Sequence, residues 1–356
     1  MKRILLIHLL GLFCGFCFGQ APSGYYESSF GKKGYELQVA LHQIIMDHEE
    51  QTYRSLWTHF YTTDAKPDGK VWDIYSDNPG GTPPYEFVFG DDQCGNYSGE
   101  GDCYNREHSV PKSWFNDQYP MYTDLFHMYP TDGYVNNRRA NYPLGEVTNA
   151  SWTSRNGSKV GSNSTSGYSG IVFEPIDEYK GDMARSYFYM STRYMDKNLG
   201  REPQSMFQGY RLKEWAVALL LQWHEEDPVS RKETDRNNAV YRIQKNRNPF
   251  IDYPVLAGMI FGRDSVHFFN PLSVPEYDDF QVEIYPNPVE SQLHISSVHP
   301  DIESVDIVDV RGRIIWSRNH IHADNLRIDM SGFPSGLYLI RLESPRQVEV
   351  RKIIKK

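Results

Sequence analysis

Near Asn270-Pro271 the 356-residue chain changes texture, and that change bounds what it can fold into. Downstream, the apolar runs are short and alternating, with turn residues between them. Val282-Glu283-Ile284-Tyr285 is followed by Pro286-Asn287-Pro288, and then come Leu293 to Ile295, Val305 to Val308, Arg313 to Trp316, Leu326 to Ile328, Gly336 to Arg341 and Val348 to Val350. Short strands at this spacing predict a small antiparallel β-sandwich. Upstream the pattern is mixed. Leu37, Leu41, Ile44, Ile45 and His48 recur at helical spacing, which predicts a helix from Gly34 to about Phe60. Val71 to Ser76 and Tyr85 to Phe89 read as loop and strand, Ala184 to Met195 and Tyr210 to Glu226 as helices, and the Ser-, Thr-, Asn- and Gly-rich tract from Asn149 to Gly170 as a surface loop. The reading is an α+β domain followed by a β-sandwich domain, each long enough to bury a core.

The first residues carry an address. Lys2 and Arg3 precede an uncharged apolar run from Ile4 to Phe18, closed by Gly19. Basic, apolar and small in that order describe a secretory signal peptide at 1–19, too short and wrongly flanked to be a spanning helix. Cys14 and Cys17 leave with it, so the mature chain holds Cys94 and Cys103, and two cysteines in an exported protein are expected to pair. A zinc site with His108 as third ligand is the weaker alternative, because no C-x-x-C spacing remains once the signal is removed. With a net charge of −9 the chain lacks the broadly basic surface of most nucleic-acid binders. Binding a polyanion would therefore rest on a local positive patch or an active-site cation.

Chemistry concentrates after Cys103. Glu107-His108 follows a β-like stretch; Asp124-Leu125-Phe126-His127-Met128-Tyr129-Pro130 and Val135-Asn136-Asn137-Arg138-Arg139-Ala140-Asn141 come next. Phosphodiester hydrolysis needs a base for water, a divalent cation for the developing charge, and a donor for the phosphate. Imidazole titrates nearest neutrality, and carboxylate and amide oxygens suit Mg²⁺, which keeps several waters. Singly, a Glu-His pair or adjacent arginines say little; their order and spacing together say more. His224-Glu225-Glu226-Asp227 reads as the acidic last turn of a helix, and the absence of H-E-x-x-H removes the obvious zinc-peptidase reading.

The run Asn105-Arg106-Glu107-His108-Ser109-Val110-Pro111-Lys112-Ser113-Trp114-Phe115, the two segments above, Trp223 to Pro228 and Asn246 to Asp252 together resemble the endonuclease I family of bacterial secreted and periplasmic nucleases, over about Gly34 to Gly262. The resemblance implies a ββα-metal (His-Me finger) core. His108 matches the general base, Glu107 a carboxylate metal ligand, and Asn136 the asparagine ligand, with Asn137 and Asn141 close by. His127 stands where the family places a residue that orients water or phosphate, and Arg138, Arg139 and Arg185 are candidates for phosphate contact. The implied cofactor is Mg²⁺, with Ca²⁺ or Mn²⁺ as alternatives.

At the other end, Tyr285-Pro286-Asn287-Pro288, Asp309-Val310-Arg311-Gly312-Arg313, Ser335-Gly336-Leu337-Tyr338 and the basic stretch Arg351 to Lys356 resemble the sorting domain of type IX secretion. The expectation is a signal peptide (1–19), a nuclease domain (20–275) and a β-sandwich sorting domain (276–356). Such a protein would be a secreted or surface-held monomer without a membrane span once the signal is removed. It would cut DNA, and RNA as well, with little sequence preference. The competing reading is a non-catalytic surface adhesin, which would have no use for a histidine, a carboxylate and an asparagine in this order.

Overall fold

The computed structural model describes residues 21–271, 282–297, 304–309, 313–319, 325–343 and 348–356. The signal segment with Cys14 and Cys17, the expected boundary at 275/276 and Val310 to Gly312 lie outside them. Internal contacts divide the chain into two units, Met1–Asn270 and Pro271–Lys356.

In the first unit, α1 (Gly34–Ile45) buries Leu37, Ala40, Leu41 and Ile45 along one stripe. The helix expected to reach Phe60 stops there, and α2 (Leu56–Thr63) starts afresh. The reason lies between them: His48 Nδ1 accepts from Arg193 Nε at 2.9 Å, and the Glu49 amide donates to the Gln244 carbonyl at 2.8 Å. Those tertiary bonds hold the chain out of helix and leave Tyr53 free to reach the strand that follows. The expected strands at Val71 to Ser76 and Tyr85 to Phe89 are reduced to isolated bridges, Ala65 with Val71 and Lys70 with Val88.

A disulfide joins Cys94 to Cys103, with Cα atoms 5.7 Å apart. Directly after it, β1 (Tyr104–His108) pairs antiparallel with β2 (Met128–Asp132), and α3 (Gly133–Arg139) follows without a loop. Asp132 makes that junction. One carboxylate oxygen caps α3 through the Val135 amide at 2.8 Å, and the other accepts from the Gly101 amide at 2.7 Å. A Cβ on Gly133 would stand 2.6 Å from the Tyr97 ring, so any larger residue here would have to displace that ring.

The polar tract at 149–170 is not a loop. It folds as β3 (Val147–Thr153) and β4 (Lys159–Asn163), which with β5 (Ile171–Glu174) make a three-stranded sheet. Most β3 side chains are exposed, so the strand has no apolar alternation to reveal it. Then come α4 (Lys180–Arg193), the short β6 (Phe207–Gln208) and β7 (Arg211–Leu212), α5 (Glu214–Glu226), α6 (Arg231–Gln244), α7 (Pro249–Asp252) and α8 (Leu256–Phe261). Every residue of α4 is buried, and it is the spine of the core. Arg185 of α4 is paired within the core: its Nε lies 2.5 Å from Glu233, itself half of the capping box that opens α6.

The second unit is β-rich. Strands β8 (Val282–Tyr285), β9 (Gln292–Ser297), β10 (Ser304–Asp309), β11 (Ile314–Asn319), β12 (Asn325–Asp329), β13 (Gly336–Glu343) and β14 (Val348–Lys355) form two antiparallel sheets, ordered β11-β10-β13-β14 and β12-β9-β8. Both contribute to one apolar cluster that includes Leu293, Ile295, Ile307, Ile328, Ile340 and Ile353. Among the described residues no helix is long and apolar enough to cross a membrane.

Candidate active site

Strand alternation on β1 sorts its side chains onto two faces. Asn105 and Glu107 point toward α3. Asn136 Nδ2 donates to Asn105 Oδ1 at 2.7 Å and to the Arg106 carbonyl at 3.4 Å, so the amide is oriented and its oxygen remains an acceptor. One turn on, Arg139 Nη1 lies 3.4 Å from Glu107 Oε1 and 3.2 Å from the His108 carbonyl, while Nη2 donates to the Ser109 carbonyl. The same Glu107 oxygen accepts from Tyr75 Oη at 2.8 Å. Tyr75 is delivered by Asp73, whose carboxylate accepts from the Tyr75 and Asp132 amides. Glu107 is therefore held at Oε1 by two neighbours, one of them a cation.

His108 sits on the opposite face, against Tyr53 and Tyr122; its ring is stacked on that of Tyr122 with centroids 5.1 Å apart. Nε2 is 3.0 Å from the Tyr122 carbonyl, an acceptor, so that nitrogen carries the proton. The lone pair is then on Nδ1, which takes no partner among the described residues. Burial and the nearby His127 hold the imidazole well below its ordinary pKa, so it is neutral near pH 7 and able to accept a proton. Burial also raises the Glu107 carboxyl above its ordinary value, against the opposing effects of Arg139 and Tyr75.

Glu107 and Asn136 are the oxygen donors that could hold a cation here. Among the described residues no cluster of three His, Cys, Asp or Glu side chains is spaced for an ion. A carboxylate and an amide with the remaining positions left to water suit a hard Mg²⁺-type ion rather than zinc.

The other residues singled out in the sequence divide. His127 is fully buried, its ring 5.5 Å from that of His108, with Nε2 2.6 Å from the Met121 carbonyl. Arg138 is exposed beside Asn136, its Nη2 donating to Tyr134 Oη at 2.6 Å. Asn137 and Asn141 are exposed. Arg139 is buried as a clamp on Glu107 and the end of β1, and Arg185 is closed into the α4–α6 ion pair with Glu233. His224 is half-buried, and its ring nitrogens meet Arg185 and the Pro254 carbonyl. Sequence reading missed Tyr53, Tyr75 and Tyr122, because loops far along the chain bring them in. Arg106 was available to it, two residues before His108 on one strand.

Residues 33–255 match the family model Endonuclease I, and 283–356 match the secretion system C-terminal sorting domain. The chain belongs to the Endonuclease I family: it is a nuclease that ends in a type IX sorting domain, and it is secreted or held at the cell surface. An extracellular ribonuclease of Bacillus amyloliquefaciens is 33% identical over 246 residues, 67% of this chain and 78% of its own. One from Bacillus subtilis is 32% identical over 250 residues with the same shares. A periplasmic deoxyribonuclease of Aeromonas hydrophila is 27% identical over 133 residues, 37% of this chain and 48% of its own.

Proposed function

We propose that the first unit is a ββα-metal endonuclease that hydrolyses phosphodiester bonds of DNA and RNA with little sequence preference, and that the second is a β-sandwich serving export by type IX secretion. The observation that carries the reading is the pairing of a neutral His108, open at Nδ1, with the Glu107–Asn136 donor pair on the same short β-β-α segment. His108 Nδ1 takes a proton from water, and the resulting hydroxide attacks phosphorus. The P–O3′ bond breaks, the 3′ oxygen takes a proton from solvent, and a 5′-phosphate remains. Glu107 and Asn136 would hold one divalent ion, Mg²⁺ or in its place Ca²⁺ or Mn²⁺, which supplies positive charge at the phosphate and leaving oxygen. His127 backs the His108 ring, and Arg138 meets the substrate backbone beside Asn136. The protein acts as a monomer.

The test is cleavage of plasmid and of RNA by the mature chain, with and without chelator, beside His108→Ala. General-base catalysis contributes roughly 10²–10⁴-fold, so His108→Ala should lose about that much with its circular dichroism unchanged. Added metal should not recover it. Near-parental turnover in that variant would remove His108 from the role.

A further inference from the structure

Arg106 has no task in the mechanism above, yet it shares a β1 face with His108, and residues two apart on a strand stand roughly 7 Å from each other. Its guanidinium packs 3.5 Å from the Tyr53 ring centroid and 4.4 Å from that of Trp57, and Nη1 donates to the Tyr53 carbonyl at 2.6 Å. Tyr53 stacks in turn on Tyr122 at 4.5 Å, and the Tyr122 carbonyl is what holds His108. One aromatic block therefore fixes both the base and the cation.

The charge of Arg106 is also uncompensated. Arg139, Arg185, Arg236 and Arg247 each meet a carboxylate, at 3.4, 2.5, 2.7 and 2.6 Å. Arg106 is half-buried, and among the described residues it has neither a carboxylate within ion-pair distance nor any acceptor besides Tyr53. A chain with 46 acidic residues has left this guanidinium without one. Drawing a charge partly out of water without neutralising it is unfavourable, and an arriving anion reverses that. A guanidinium already ordered by aromatic packing also loses less freedom when it binds.

We propose that Arg106 is the phosphate-binding residue on the His108 side: it holds a non-bridging oxygen of the phosphodiester that His108 serves. The assignment rests on the nuclease reading. It makes Arg106 a catalytic residue and Tyr53 and Trp57 the residues that position it.

The experiment compares Arg106→Met, which keeps length and loses charge, with Arg106→Lys and the parent chain, each checked by circular dichroism. Steady-state cleavage is one readout. The other is salt-dependent binding of a fluorescent DNA duplex, measured in a His108→Ala background. Removing one donor to a charged oxygen typically costs about 10²–10³-fold in turnover, so Arg106→Met should lose about that much, and Arg106→Lys less. The slope of log affinity against log salt should flatten by about 0.9 in Arg106→Met and stay unchanged in Arg106→Lys, since one phosphate contact carries that much. A packing role would not move the slope. Parental cleavage with an unchanged slope in Arg106→Met overturns the assignment. If that variant does not fold, Arg106→Gln, which keeps a donor for the Tyr53 carbonyl, is read by the same criteria. A parent chain that binds the duplex without cutting it would sink the nuclease reading, and the slope would still decide this one.

Discussion

Glu107 has a structural duty that its proposed role as a ligand conceals. It and Arg139 are each about 2% exposed, so the pair is cut off from water. Removing one partner of a buried pair costs about 3–5 kcal/mol, because the other charge is left unpaired. In Glu107→Ala, Arg139 keeps the His108 and Ser109 carbonyls as acceptors, while its Nε has no partner even in the parent. The retained acceptors place the loss at the lower end, about 3 kcal/mol. For a unit of this size each kcal/mol lowers Tm by roughly 2–4 °C, so Glu107→Ala should melt about 6–12 °C below the parent. Glu107→Gln keeps the volume and an acceptor for Tyr75 Oη but loses the charge, and should fall between the two. The assay is thermal unfolding followed by circular dichroism in excess chelator, so that lost metal binding cannot account for the shift. A Glu107→Ala chain melting within about 2 °C of the parent would refute the reasoning. The two roles also separate kinetically: excess Mg²⁺ should recover part of the activity at a temperature where the variant is folded, and none of the stability measured in chelator.

Two further outcomes follow from the same geometry. Because burial lowers the pKa of His108, the imidazole stays neutral, and so competent, as pH falls past its ordinary value of 6.5, and activity is lost only as pH drops through the lower folded value; an inflection in kcat at or above pH 6.5 contradicts this. Reducing Cys94–Cys103, nine residues apart, frees a short loop worth about 2–3 kcal/mol by chain entropy. Tm should therefore drop by several degrees, and a Tm unmoved after both thiols have been trapped counts against it.

The candidate segment could be read from the sequence because its residues are local. Glu107 and His108 are neighbours, and Asn136 follows on a helix joined to β2 without a loop. What surrounds them was not legible, for reasons that differ by element. Tyr75 reaches Glu107 from 32 residues upstream through hydrogen bonds made by Asp73, and Tyr122 gives His108 a main-chain carbonyl, which no side-chain pattern encodes. The tract at 149–170 failed for another cause. Period-two alternation marks a strand only when one face is buried, and β3 is exposed almost throughout. The break between α1 and α2 comes from tertiary bonds to His48 and Glu49 in residues that otherwise continue the helical period. α6, by contrast, was open to a closer reading, since Ser230 and Glu233 stand at capping-box spacing. In the second unit the strands lie where the alternation put them, because one face of each sheet is buried and the turns between are short.

Net charge misleads about this protein for a reason the buried pairs make plain. Arg185, Arg236 and Arg247 are committed to carboxylates inside the first unit, so those three pairs add little to the field at the surface, and Arg139 is committed to Glu107. On the proposed reading, the charges left to meet a phosphate are those of Arg106 and Arg138, together with the ion that Glu107 and Asn136 would hold. An acidic protein could act on a polyanion with so small a set if contact is confined to a few nucleotides. That arrangement fixes a measurable quantity. With two arginine contacts, affinity for duplex DNA should fall about tenfold between 50 and 200 mM salt, where six to ten contacts would lose roughly 10³–10⁵. The titration belongs in His108→Ala, where binding is not obscured by cleavage. A slope steeper than about −5 would mean that a longer cationic track carries the nucleic acid, and Arg106 and Arg138 would then be two contacts among several rather than the pair that holds the strand.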